Sequence, residues 1–195
     1  MFVAAAIDAI SSIIKLNEHD PRPFWVSDDV QAFSCSNQYG NPSGHCFTCL
    51  GIPLAAWLDY NSTAMMNPEA KWSAWYLRLI AFIPVLLFPA TIAYSRMFLG
   101  VHSLNQVFYG LSLGAWFAFS SEFLIRKHMV KLIQDLIDVQ EKRLLRLFLV
   151  SFTLFVAASS LQIINYKVAN EFDNLKLWKT EITKKCGAEE LKDAF

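Results

Sequence analysis

Four long apolar runs, residues 45–60, 73–94, 104–125 and 144–166, constrain this chain more than any other feature. A helix needs about 20 apolar residues to cross bilayer hydrocarbon, and helices satisfy their own backbone polar groups there. The runs therefore predict an all-α, polytopic membrane helix bundle. The first run is short for a crossing unless its helix continues through 61–64. Pro84 and Pro89 should kink the second, which buried neighbours tolerate. Gly110 and Gly114 put a flat strip on the third that suits close helix packing. Residues 1–14 form a fifth apolar piece, too short to cross alone and without the basic start of a secretory signal. The expectation is about five membrane helices.

Composition agrees. The 195 residues leave room for one domain, and 54% apolar content with 16 Phe and 6 Trp is too greasy for an ordinary soluble one. Net charge is zero and no basic nucleic-acid motif occurs, so no nucleic-acid partner is expected. Cys46 and Cys49 form a Cys-x2-Cys inside an apolar run with no second pair, which reads as packing rather than metal binding. Residues 126–143 place Met129, Leu132, Ile133, Leu136 and Ile137 at helical spacing, an amphipathic surface-lying or extending helix. The division expected is a membrane-embedded unit over 1–166 and a charged tail over 167–195, solvated or disordered.

Chemistry is concentrated in three short blocks. Lys15 is followed seven residues on by Arg22-Pro23; Pro42-Ser43-Gly44-His45 comes next; Ser95-Arg96 precedes His102 by six residues from the arginine. They supply three cations, two imidazoles, a hydroxyl and a glycine amide, which suits a transferring phosphoryl group. Lys15 and Arg22 lie about two helical turns apart if the first helix continues, so they would face one cavity. Arginine grips two phosphate oxygens while lysine acts as a point charge, and Arg96 would complete the cage. Gly44 lets its N–H approach an anion where a helix begins. The span count tests this. One crossing after Pro42–His45 and one return bring all three blocks to the same membrane face.

In order and spacing these blocks resemble the type 2 phosphatidic acid phosphatase superfamily, whose relatives include lipid phosphatases, glucose-6-phosphatases and vanadium haloperoxidases. The signature is Lys-x6-Arg-Pro, Pro-Ser-Gly-His and Ser-Arg-x5-His. The resemblance implies a phosphatase site at one membrane face. His102 would be the nucleophile that forms a phosphohistidine, and His45 the acid that protonates the leaving alkoxide and then activates water. Lys15, Arg22, Ser43, Gly44 and Arg96 would bind phosphate. Many members carry an aspartate four residues after the nucleophile; here Gln106 stands there, able to orient the imidazole but not to add charge. Glutamine at this place is similar to the glucose-6-phosphatase and dolichyl-diphosphatase branches. No cofactor and no metal is expected, since Asp28 and Asp29 are adjacent and no ligand cluster of metal spacing occurs.

A site at the membrane–water boundary suits a phosphorylated lipid or isoprenoid diphosphate, with Phe24, Trp25, Phe33 and Tyr39 bordering the entrance. The alternatives are a sugar phosphate and an inactive relative serving as a scaffold or complex subunit. Partners expected are the lipid substrate, membrane lipids, and a homo-oligomer or membrane complex. Lys71, Arg126, Lys127, Lys131, Lys142 and Arg143 fall on the far side, although the tail also carries lysines on the site side. The positive-inside rule then faces the site to the lumen or exterior, in the endoplasmic reticulum or another endomembrane. Members resembling this chain have more helix before the first block, so an amino-terminally incomplete chain is expected.

Overall fold

Every regular element in the computed structural model is helical, among the residues it describes: 2–36, 38–128, 130–131, 141–170 and 174–187. Helix α1 spans Phe2–Glu18, α2 is the single turn Pro23–Val26, and α3 runs Gly44–Met66. After a 3₁₀ turn at Lys71–Ser73 come α4, Trp75–Phe98, and α5, Leu104–Ser120, which continues through a π-helical turn at Ser121–Ile125. Two further helices follow, α6 at Glu141–Asn170 and α7 at Asn174–Cys186. Most of the expected amphipathic segment, residue 129 and residues 132–140, lies outside the described residues.

Among the described residues, two helices are long and apolar enough to cross a membrane: Trp75–Phe98, with mean hydropathy 1.9, and Leu104–His128, with 1.2. The sequence predicts about five membrane helices, four of them from runs at or near crossing length. Helix α3 does continue past residue 60, its 23 residues extending about 34 Å, enough length for hydrocarbon. Helix α6 contains the shorter apolar stretch Leu149–Leu161. Leu79, Ile80, Ile83, Leu86 and Leu87 on α4 all face outward, an apolar belt far too continuous for a water-facing surface.

Helix α3 is the centre of the packing. Ile7 of α1, Phe47 of α3 and Phe117 of α5 form one buried cluster; Leu54, Leu58, Val85 and Ala118 join α3, α4 and α5 in another. The expected glycine strip is what lets α5 approach. A Cβ on Gly110 would stand 2.5 Å from the Ser43 carbonyl oxygen, and one on Gly114 would stand 2.8 Å from that of Phe47. The two backbones are therefore nearly in contact. Gly110→Val should push the start of α3 off α5 and cost about 1–3 kcal/mol, measurable as a lowered melting temperature in detergent.

At the far end, Arg126 clamps α3 to α5 through Asp59 at 2.7 Å and Glu122 at 2.5 Å. At the other end the carboxy-terminal segment departs from the expected solvated tail. Trp178, Ile182 and Cys186 recur every fourth residue and form one face of α7. That face packs on Phe24, Trp25, Tyr39 and Val101, with Ile182 only 2% exposed. Lys185 Nζ donates to the carbonyls of Phe24 (3.1 Å) and Ser27 (2.6 Å), and a disulfide joins Cys186 to Cys35. The aromatic loop is corrected by the same packing. Phe24, Trp25 and Tyr39 are buried beneath α7 rather than lining an entrance, and Phe33 alone is exposed, stacked on Phe98.

Candidate active site

Lys15 lies in the last turn of α1, and its Nζ donates to Gln38 Oε1 at 3.2 Å. The helix does not continue to Arg22, as the two-turn argument supposed. It ends at Glu18, His19 turns with φ of 49°, and the Asp20-Pro21-Arg22-Pro23 run leads into α2. Two prolines so close together cannot extend a helix. Arg22 reaches the site from this turn instead, with backbone extended at φ −78° and ψ 152°.

Arg22 is 4% exposed, and its guanidinium is held from three directions. Its Nε donates to the Gln38 carbonyl at 2.7 Å, and its Nη1 to the Val101 carbonyl at 2.9 Å. Nη1 also lies 3.2 Å from His102 Nε2. Guanidinium only donates, so Nε2 accepts and must carry the lone pair. The ring proton then sits on Nδ1, which donates to Gln106 Oε1 at 3.3 Å. The imidazole tautomer is thus dictated from both sides.

His102 occupies the short link between α4 and α5. Gly100, at φ +71°, ends α4 in the left-handed conformation, and a Cβ there would meet the Gln31 carbonyl oxygen at 2.5 Å. Ser103 and Gln106 close a capping box at the start of α5, so the Gln106 carboxamide both caps the helix and holds the ring.

The middle block starts α3. Ser43 is the N-cap, but its side chain does not cap; the hydroxyl is fully buried without a hydrogen-bond partner among the described residues. The Ser43 N–H donates to the Gln106 carbonyl at 3.1 Å, tying the starts of α3 and α5 together. A Cβ on Gly44 would stand 3.2 Å from Ser11 Oγ and 3.8 Å from Lys15 Nζ, so glycine lets α1 sit close against the start of α3. Arg96, in the last turn of α4, has a buried Nε that likewise lacks a partner among the described residues. Uncapped N–H groups, a helix dipole and neighbouring cations are features whose electrostatics would favour an anion.

His45 is exposed and opens onto a groove of about 550 Å³ between α1, α3 and α4. The groove runs from Lys15, Gly44 and His45 to Ile52 and Pro53, about 12 Å along α3. Asp8, Ser11 and Ser12 form its α1 wall, and Phe88 and Ile92 the opposite one. Among the described residues no group of three or more His, Cys, Asp or Glu is placed to hold a metal.

Burial, then the Arg96 charge, lowers the Arg22 pKa to about 10, still protonated at neutral pH. Burial, then the Arg22 charge, lowers His102 from 6.5 to about 3, so the ring is neutral in the folded protein. Between those values the unfolded chain binds a proton that the folded chain refuses, so stability rises with pH across that window. Lowering pH from 6.5 toward 3 should therefore lower the melting temperature, and His102→Gln should flatten the dependence.

Of the residues singled out in the sequence, Arg22, His102, Gln106 and Ser43 are linked by hydrogen bonds, while Lys15, Gly44 and His45 line the groove, which His102, Arg22 and Arg96 do not. Sequence reasoning missed Gln38, which bridges Lys15 and Arg22, and Asp20, which accepts from Gln106 Nε2 at 2.9 Å. Nothing local marks either one. The Cys35–Cys186 bridge did have a signal: both cysteines lie outside the apolar runs and on the same side of the expected topology.

The family model for the PAP2 superfamily matches residues 1–129, a stretch that contains all three blocks and helices α1 to α5. No curated protein and no solved structure matches the chain. With its matched stretch covering well over half its length, this chain belongs to the PAP2 superfamily.

Proposed function

We propose that the chain is a membrane phosphatase that hydrolyses a lipid phosphate or isoprenoid diphosphate through a phosphohistidine on His102, without a metal. One observation carries the reading: the His102 Nε2 lone pair faces the Arg22 guanidinium while Gln106 holds the proton on Nδ1. A phosphoryl group drawn in by Lys15, Arg22, Arg96 and the start of α3 takes the Arg22 Nη1 hydrogen bond onto its own oxygen, freeing the Nε2 lone pair of a nucleophile already in the required tautomer. Nε2 forms the N–P bond as the ester P–O bond breaks, and His45 gives its proton to the leaving oxygen. Water then attacks phosphorus, His45 takes a proton from it, and cleavage of the N–P bond releases phosphate. Family membership supports the phosphatase class, and the apolar end of the groove supports a lipid alcohol. The Cys35–Cys186 disulfide on the site side supports an oxidising, lumenal or external compartment for the site.

A second reading has its own observation. Asp8, Ser11 and Ser12 on the α1 wall are suited to the hydroxyls of a sugar phosphate. Phosphate release in EDTA from phosphatidate, a polyprenyl diphosphate and glucose 6-phosphate, with His102→Ala as blank, separates the readings. Release from the lipids supports the first proposal and release from the sugar alone the second. Failure with all three, with or without magnesium, would refute both and favour a scaffold role, whereas release that requires magnesium would refute the metal-free mechanism.

A further inference from the structure

We propose that Asp20 is a positioning residue that delivers negative charge to His102 through the Gln106 carboxamide, replacing a carboxylate at position 106 itself. The inference rests on the reading of His102 as the nucleophile. Gln106 is 2% exposed and every hydrogen-bonding capacity of its amide is used. Nε2 donates to Asp20 Oδ2 at 2.9 Å and to the Pro21 carbonyl at 2.8 Å. Oε1 accepts from Ser103 N at 3.2 Å and from His102 Nδ1 at 3.3 Å. Swapping the amide's oxygen and nitrogen would leave two donors facing two donors and an oxygen facing two acceptors, so its orientation is unambiguous.

Asp20 is itself pinned. Its backbone carbonyl accepts from Gly40 N at 2.8 Å, and a Cβ on Gly40 would lie 2.5 Å from Gln106 Nε2. The segment 38–41 therefore closes over the amide and keeps the carboxylate in line. A chain results: carboxylate, amide N–H, amide oxygen, imidazole N–H. Each link polarises the next, so the carboxylate makes Oε1 a stronger acceptor and Nε2 more electron-rich. When Nε2 bonds to phosphorus the ring becomes cationic, and the Asp20 charge stabilises it across a single intervening group. A neutral amide alone gives orientation without that charge.

Asp20→Asn tests the charge without removing the contact, because asparagine Oδ1 still accepts from Gln106 Nε2. Orthovanadate, which bonds to Nε2, and inorganic phosphate, which only contacts the cations, are titrated calorimetrically against the full chain in detergent. Vanadate affinity should fall about tenfold in Asp20→Asn, the range seen for partners one shell behind a ligand, with phosphate affinity unchanged or slightly tighter. In turnover, kcat should fall by a similar factor with little change in KM. Equal vanadate affinity in the two proteins, parallel loss of both anions, or no vanadate binding by the wild type would each overturn the relay. The binding arm needs no turnover. The vanadate difference without hydrolysis of any substrate would keep the relay and sink the phosphatase reading; hydrolysis with an unchanged kcat in Asp20→Asn would do the reverse.

Discussion

His102→Ala is expected to abolish phosphate release, with a loss on the order of 10³-fold or more, while the protein stays folded. The substitution removes the only side chain among those described that accepts from the guanidinium, the other two acceptors being backbone carbonyls, so no other side chain there can take the phosphoryl group. It also strips Arg22 Nη1 of one acceptor, but the Val101 carbonyl still holds the guanidinium at 2.9 Å. The melting temperature should therefore move little. Comparing release rates and melting of wild type and variant in the same detergent checks both halves. Activity surviving in a folded His102→Ala protein would remove the phosphohistidine mechanism.

Arg22→Lys should cost on the order of 10²–10³-fold in kcat although it keeps the charge. Lysine is a point donor on a different stem and cannot span the Gln38 carbonyl, the Val101 carbonyl and His102 Nε2 together. Two effects follow from one change. The imidazole loses the donor that forces its tautomer, and a buried carbonyl is left without a partner at a cost of about 1–3 kcal/mol. Steady-state kinetics beside thermal unfolding distinguishes the two, because the stability loss alone leaves kcat of the folded fraction intact. A lysine variant with wild-type kcat would mean that the fork geometry is irrelevant to the reaction.

The sequence was most legible where its signal was local and periodic. The apolar runs over 73–94 and 104–125 became α4 and α5, and Gly110 and Gly114 became the contact that seats α5 on α3. Pro42-Ser43-Gly44-His45 begins a helix as read. The Lys15–Arg22 spacing spans two helical turns only if the first helix continues, and Pro21 and Pro23 end it and bring Arg22 in by a turn. The tail misled for another reason. Its net polarity concealed Trp178, Ile182 and Cys186, whose one apolar face is enough to dock α7 on the aromatic loop.

By itself the amino-acid order determined an all-helical architecture and the three chemical blocks, because hydropathy and turn chemistry act over a few residues at a time. What the tertiary structure alone decided is which atoms meet. Arg22 and His102 are 80 positions apart, and Asp20 and Gln106 are 86 apart; no periodicity links either pair. The tautomer of His102 is set by two such long-range contacts, one on each ring nitrogen. A hydrogen bond depends on tenths of an ångström, and those are settled only when packed helices bring distant backbone to its final position.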